Sequence, residues 1–332
     1  MCTAISMCMK ENYFGRNLDF EFNFGEKVTI TPRNYYFKFR NGKIIKNHYA
    51  MIGMAVTQNN YPLYFDATNE KGVSIAGLNF PNNAMYGENI EEKDNVASFE
   101  VIPWILTQCG SLKEAWELAK TMNITNDAFS DEMPPSPLHF IIADKSGAIT
   151  VEQTQDGLKV YENPVGVLTN NPTFDMQMWN LSNYMLCSAK EPLDIFSSKT
   201  DLKAYSRGMG GIGLPGDLSS ASRFVKACFL KLNSVCLGLE QEKINHFFHI
   251  LYSVFHLRGS VQVGTSWEIT NYSSCCNTDR GIYYYTTYKN SNINAVDMYE
   301  ENLDSDELVS YGLIENQNID TVNKKKSYYI GP

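Results

Sequence analysis

Along this chain, segments that alternate with period two are interrupted twice by paired segments of helical period, and that order leaves few folds open. Thr3 to Met9 alternates, with Ile5, Met7 and Met9 on one face. It turns at Lys10-Glu11-Asn12 and continues as Tyr13 to Phe20, which predicts a β-hairpin at the N-terminus. Gly72 to Phe80 is a further strand, closed by Pro81-Asn82-Asn83. Leu138 to Ala143 and Ala148 to Gln153 flank the turn Asp144-Lys145-Ser146-Gly147, and Leu158 to Tyr161 and Gly166 to Thr169 are short strands. Ser266 to Ser274, Gly281 to Tyr288 and Ile293 to Met298 predict a meander, with turns at Asp279-Arg280-Gly281 and Asn290-Ser291-Asn292. A first helical pair runs from Phe99 to Cys109 and from the capping box Ser111-Leu112-Lys113-Glu114 through Trp116, Leu118 and Met122. Ser219 to Val235 and Gln241 to Leu257 form a second pair, the latter with Ile244, Phe247, Phe248, Leu251, Val254 and Phe255 at helical spacing. This order predicts an α+β chain with two sheets face to face and helices outside. With no Pro/Gly/Ser linker and no internal repeat, residues 1–332 are expected to form a single domain.

The candidate nucleophile stands where the first strand begins. Removing Met1, which the small side chain at position 2 permits, would give Cys2 both a thiol and a free α-amine. Their ordinary pKa values, about 8.5 and about 7.7–8.0, both lie near neutrality. One residue would then carry an attacking atom and a proton acceptor. Arg16 and Asp19 follow on the second strand of the hairpin, near Cys2 if the turn is tight. Three residues apart, they point to opposite faces under strict alternation, so only a twist or a bulge is expected to bring both to one site.

Composition excludes several classes of function. With 43% hydrophobic and 20% charged residues the chain is not disordered. A net charge of −9 argues against a nucleic-acid partner and against an anionic membrane surface. No apolar run approaches the ~18 residues of a membrane helix, and Lys10-Glu11-Asn12 interrupts the N-terminus before any leader-like core. The eight cysteines form no CxxC pair and no regular framework, so a reducing, cytoplasmic location is expected.

Other motifs carry two readings. Asn170, in Leu168-Thr169-Asn170-Asn171-Pro172, and Asn79 both end strands, where an amide serves a turn or donates to an oxyanion. Arg223 opens a helix after Leu214-Pro215-Gly216-Asp217, a position its charge disfavours unless an anion compensates. Gly208-Met209-Gly210-Gly211-Ile212-Gly213 lacks the Lys-Ser/Thr ending of a phosphate loop and reads as a flexible loop. His246 and His249 share a helix face without a third ligand and read as ordinary helix histidines.

Together, Met1-Cys2-Thr3, Gly15-Arg16-Asn17-Leu18-Asp19, Ala76-Gly77-Leu78-Asn79-Phe80, Gly166 through Phe174, Leu214 through Arg223 and Ser274-Cys275-Cys276 ahead of Gly281-Ile282-Tyr283-Tyr284-Tyr285 form an ordered set. In that set, which extends to about Asn302, the chain resembles the choloylglycine hydrolase family of bile salt hydrolases and penicillin V acylases. The resemblance implies an N-terminal nucleophile hydrolase with a four-layer αββα sandwich. It implies Cys2 as nucleophile with its own amine as base, Arg16 beside the sulfur, and Asp19 orienting the amine. Asn79 (backbone N–H) and Asn170 (side chain) would form the oxyanion hole, and Arg223 would complete the network. Asn at position 79 tilts the expectation toward conjugated bile acids, with penicillin V or N-acyl homoserine lactones as alternative substrates and a non-catalytic steroid-binding protein as a third reading. The steroid cleft would be lined by Leu18, Phe24, Phe65, Phe129, Met133 and Leu138, whose other reading is core packing. No metal or organic cofactor is implied, and a homotetramer is; the segment from Leu181 to Ser206 is a candidate for its assembly arm, which composition does not show.

Overall fold

The computed structural model describes residues 1–323. Two antiparallel sheets carry the chain. The six-stranded one contains β1 (Cys2–Met9), β2 (Glu11–Phe20), β10 (Val167–Leu168), β11 (Ile269–Asn277), β12 (Ile282–Thr287) and β13 (Asn294–Asp297), in the order β10-β1-β2-β11-β12-β13. The eight-stranded one contains β3 (Lys27–Thr31), β4 (Met51–Gln58), β5 (Tyr61–Asn69), β6 (Ser74–Asn79), β7 (Leu138–Asp144), β8 (Gly147–Thr154), β9 (Gly157–Glu162) and β14 (Val309–Gly312), in the order β9-β8-β7-β6-β5-β4-β3-β14. Their inner faces meet where β1 and β2 pack on β6. Helices α1 (Val101–Gln108) and α2 (Leu112–Thr121) cover the outer face of the larger sheet. The smaller sheet is covered by α4 (Ser220–Asn233) and α5 (Glu240–Tyr252), with α3 (Phe174–Leu181) packed on α4. This is the four-layer αββα sandwich that the resemblance implied.

Because both faces of the smaller sheet are covered, β1 is buried at every residue except Cys8 rather than on one face only. Its hairpin with β2 is tighter than the pattern predicted. Lys10 alone turns the chain at φ 77°, so that Met9 faces Glu11 and Cys2 faces Leu18. Gly15 is required where β2 crosses β11, since a Cβ there would collide with the Ser274 carbonyl and the Cys275 Cα.

Other boundaries also moved. Phe99 lies in a 3₁₀ turn ahead of α1, and Met122 leaves its helix to begin the short strand Met122–Thr125. Helix α5 stops at Tyr252 rather than Leu257, and β11 begins at Ile269 rather than Ser266. Ser111 Oγ caps α2 by accepting from Glu114 N at 3.3 Å, but the Glu114 carboxylate accepts from Gly110 N at 2.6 Å instead of closing the box. The glycine-rich loop holds one 3₁₀ turn, Met209–Gly211, and His246 Nε2 lies 2.9 Å from Ser234 Oγ. Strands β3, β4 and β5 and helix α3 were not read from the pattern. Among the described residues, no helix is long and apolar enough to cross a membrane, and no group of three His, Cys, Asp or Glu side chains could hold a metal ion.

Candidate active site

The end of β1 places Cys2 where four elements converge. Its side chain lies between the sheets, where Arg16 Nη2 donates to Cys2 Sγ at 2.6 Å. Arg16 is fully buried, and its Nη1 donates to the carbonyls of Phe65 (2.9 Å) and Gly77 (2.6 Å) in the facing sheet. Burial works against this guanidinium, but Cys2, Tyr272, Asp66 and Tyr283 outweigh it and hold the pKa above its ordinary value.

Asp19 lies on the opposite face of β2, toward the helices. Thr270 Oγ1 donates to its Oδ1 at 2.6 Å, and Arg223 Nη1 lies 4.0 Å from its Oδ2. Alternation is therefore kept. Arg16 meets the Cys2 sulfur on one face of the sheet, while Asp19 meets Thr270 on the other. The register of β2 against β11 does slip between Thr270 and Tyr272, opposite Leu18 and Asp19.

Arg223 reaches in from the first turn of α4. Its Nη1 donates to the Cys2 carbonyl (2.5 Å) and to Thr3 Oγ1 (2.6 Å), and its Nη2 to Asn170 Oδ1 (2.7 Å). Burial pulls its pKa below the ordinary value, against Asp19, Cys2 and Glu268. Asn170 Oδ1 also accepts from Cys2 N at 2.9 Å, and Asn170 Nδ2 donates to the Asn79 carbonyl at 2.6 Å. The partner of Asn79 across the ladder, Leu138, gives both its backbone groups to the Tyr86 hydroxyl (2.7 and 2.8 Å). Asn79 thus occupies a non-hydrogen-bonded position, and its N–H points the same way as its carbonyl, toward Asn170.

A cleft of about 250 Å³ opens at Phe65 and Gly77, whose carbonyls hold Arg16. Phe24, Phe65, Phe129, Met133 and Leu138 line it, with Val56, Leu63, Tyr64, Gly77 and Phe99. Leu18 does not line this cleft. It is 4% exposed and belongs to the core, because it sits opposite Cys2 in the interior of the sheet. Phe65 and Gly77, which hold Arg16, mark the end of the cleft nearest the sulfur. At the other end Arg40 Nη2 donates to the Phe129 carbonyl at 2.6 Å, and its guanidinium lies over the rings of Phe99 (5.6 Å) and Phe129 (6.0 Å).

Several supporting residues escaped the sequence reading. His139 stacks on Phe80 at 4.1 Å and bridges Glu152 and the Thr169 carbonyl (2.9 Å each), tying together the strand ends that carry Asn79 and Asn170. Asp66 is buried behind Arg16 and accepts from the Tyr272 and Tyr283 hydroxyls (2.8 and 2.7 Å). His256 and Glu268 lie beneath the terminus. Each is a polar side chain in or beside an apolar strand or helix, which is a signal. Their partners are 12 to 267 residues distant, which the sequence does not reveal.

The sequence profile of the choloylglycine hydrolase family, linear amide C–N hydrolases, matches residues 2–311. The chain belongs to the choloylglycine hydrolase family. It is 51% identical to the bile salt hydrolase/transferase of Lactiplantibacillus plantarum, over 94% of this chain and 97% of that one. With the bile salt hydrolase/transferase of Clostridium perfringens the identity is 38%, over 97% and 100%. A crystal structure of a mutant conjugated bile acid hydrolase from Clostridium perfringens superposes with a TM-score of 0.89 at 37% identity, over 97% of this chain and all of that one. The penicillin V acylase of Agrobacterium tumefaciens, 16% identical, shares the fold with a TM-score of 0.74 over 93% and 90%.

Proposed function

We propose that this chain hydrolyses the amide bond of glycine- or taurine-conjugated bile acids once Met1 has been removed. The observation that carries this reading is the 2.6 Å contact of Arg16 with the buried Cys2 sulfur, the same guanidinium being held by Phe65 and Gly77 of an apolar cleft. Membership of a linear amide hydrolase family and full-length relatives named for bile salts support it.

With Met1 gone, the Cys2 nitrogen becomes an amine. The sulfur attacks the amide carbonyl carbon, and its proton passes to that amine. Asn79 N–H and Asn170 Nδ2 receive the oxyanion, the latter turning away from the Asn79 carbonyl. Losing one such donor typically costs about 10²–10³ in turnover. The amine protonates the departing amino acid, leaving a thioester on Cys2, and then takes a proton from the water that releases the acyl group. Arg16 favours thiolate, and Asp19, Asn170 and Arg223 hold the terminus.

The decisive assay presents glyco- and tauro-conjugates and penicillin V to protein with a sequenced N-terminus. Release of glycine or taurine is expected to be faster than release of phenoxyacetate, and the reverse order would overturn the substrate assignment. Binding of conjugates without release of amino acid would overturn hydrolysis itself. Phe129→Ala, which removes a wall of the cleft, should raise KM for a bile conjugate by about tenfold (~1.4 kcal/mol) and leave that for a short acyl amide nearly unchanged. Equal effects on both substrates would remove Phe129 from the steroid contact.

We also place the assembly arm at Leu181 to Ser206. Met185, Leu186, Leu193, Ile195 and Phe196 are 78–83% exposed, more apolar surface than a lone chain ordinarily shows water. A second copy is the occupant this reading assigns, within a homotetramer. Phe196→Asp should then shift the chain to a smaller species in sedimentation, and an unaltered monomer before and after would refute the assembly. The eight free cysteines support a reducing, cytoplasmic setting.

A further inference from the structure

Among the described residues, Asp19 Oδ2, both ring nitrogens of His256 and Glu268 Oε1 are buried beneath the chain terminus without a well-aligned hydrogen bond. His256 is 0% exposed and Glu268 5%. They form a line. Glu268 Oε1 lies 2.9 Å from His256 Nδ1, at ion-pair distance but off the hydrogen-bond axis, and His256 Nε2 lies 3.8 Å from Asp19 Oδ2. The line is fixed from the side by Thr270, whose Oγ1 accepts from His256 N (2.8 Å) and donates to Asp19 Oδ1 (2.6 Å). At its outer end Glu268 Oε2 and the Asp19 carbonyl accept from the Met1 ammonium, at 2.7 and 2.6 Å. Arg223 from α4 lies 4.0 Å from Asp19 Oδ2.

A neutral imidazole has one N–H for the two carboxylates it faces. With that proton toward Glu268, Nε2 and Asp19 Oδ2 confront each other as acceptors, one proton short. The α-amine of a matured Cys2 has a proton it must lose before it can act as a base.

We propose that Glu268, His256 and Asp19 form a proton-holding chain for the terminal amine, with His256 and Glu268 as positioning residues. Glu268 fixes the ring, and the ammonium of Cys2 passes a proton through the Asp19 carboxylate to His256 Nε2. Cys2 is left with a neutral amine and His256 becomes an imidazolium between two carboxylates. This rests on the reading that the Cys2 amine is the base.

The test uses protein starting at Cys2 and follows kcat and KM against pH for His256→Gln and Glu268→Gln. For His256→Gln, kcat should fall about tenfold or more on the acid side with KM little changed, and recover at alkaline pH, where the amine loses its proton unaided. The acid limb of the profile thus moves upward in pH. Glu268→Gln should show a smaller loss of the same sign, and it carries the test if the histidine variant does not fold. A structural role would depress kcat equally at every pH, and that uniform loss, or none, overturns the chain. An inactive wild type starting at Cys2 would instead overturn the amine-base reading itself.

Discussion

Cys2→Ala is expected to abolish amide hydrolysis, by a factor on the order of 10⁴ or more, and to leave the fold in place. The substitution removes one sulfur from a side chain that is 3% exposed at a strand end, so the backbone pairing of Cys2 with Leu18 survives. What disappears is the only atom in the scheme that can form the covalent intermediate. The Arg16 guanidinium stays in position, because the carbonyls of Phe65 and Gly77 hold its other nitrogen. Amino acid release measured beside the thermal unfolding midpoint checks this. Substantial turnover by a folded Cys2→Ala protein would mean that another group performs the attack.

Keeping Met1 should have nearly as large an effect. The Cys2 nitrogen is then a peptide N–H, donating to Asn170 Oδ1, with no lone pair for a proton. Met1 is also tied down, since its ammonium is held by Glu268 and its carbonyl accepts from Asp19 N at 2.9 Å. Two preparations isolate the effect: one released by a specific protease so that it begins at Cys2, the other retaining Met1. The second should be slower by a factor on the order of 10³, the scale of general acid–base catalysis. Equal rates would show that the proton goes elsewhere, and the assignment of the amine as base would fall.

The two expectations differ in what had to be known to form them. Cys2 as a candidate needs only its place in the chain, since only the terminal residue can offer a side chain and a free amine together. The hairpin that brings Arg16 opposite Ala4 follows from local alternation, and the structure altered only its turn. Asn79 and Asn170 were visible as strand ends, but their shared hydrogen bond joins residues 91 apart. The cleft was half legible. Phe129 and Met133 stood out as apolar residues in a polar stretch, whereas Leu18 has the same character as its neighbours and proved to be core.

Sequence alone determined the layered order of sheets and helix pairs, because periodicity reports which face of each element must leave water. It also offered Cys2 as a candidate nucleophile, because a place directly behind Met1 is a property of sequence. Tertiary structure decided which polar groups meet. His256 with Asp19, Asp66 with two tyrosines, and Arg223 with the Cys2 carbonyl are joined by packing across distant segments. A buried charge is tolerable only where partners converge on it, and that convergence belongs to the folded layers rather than to any stretch of residues.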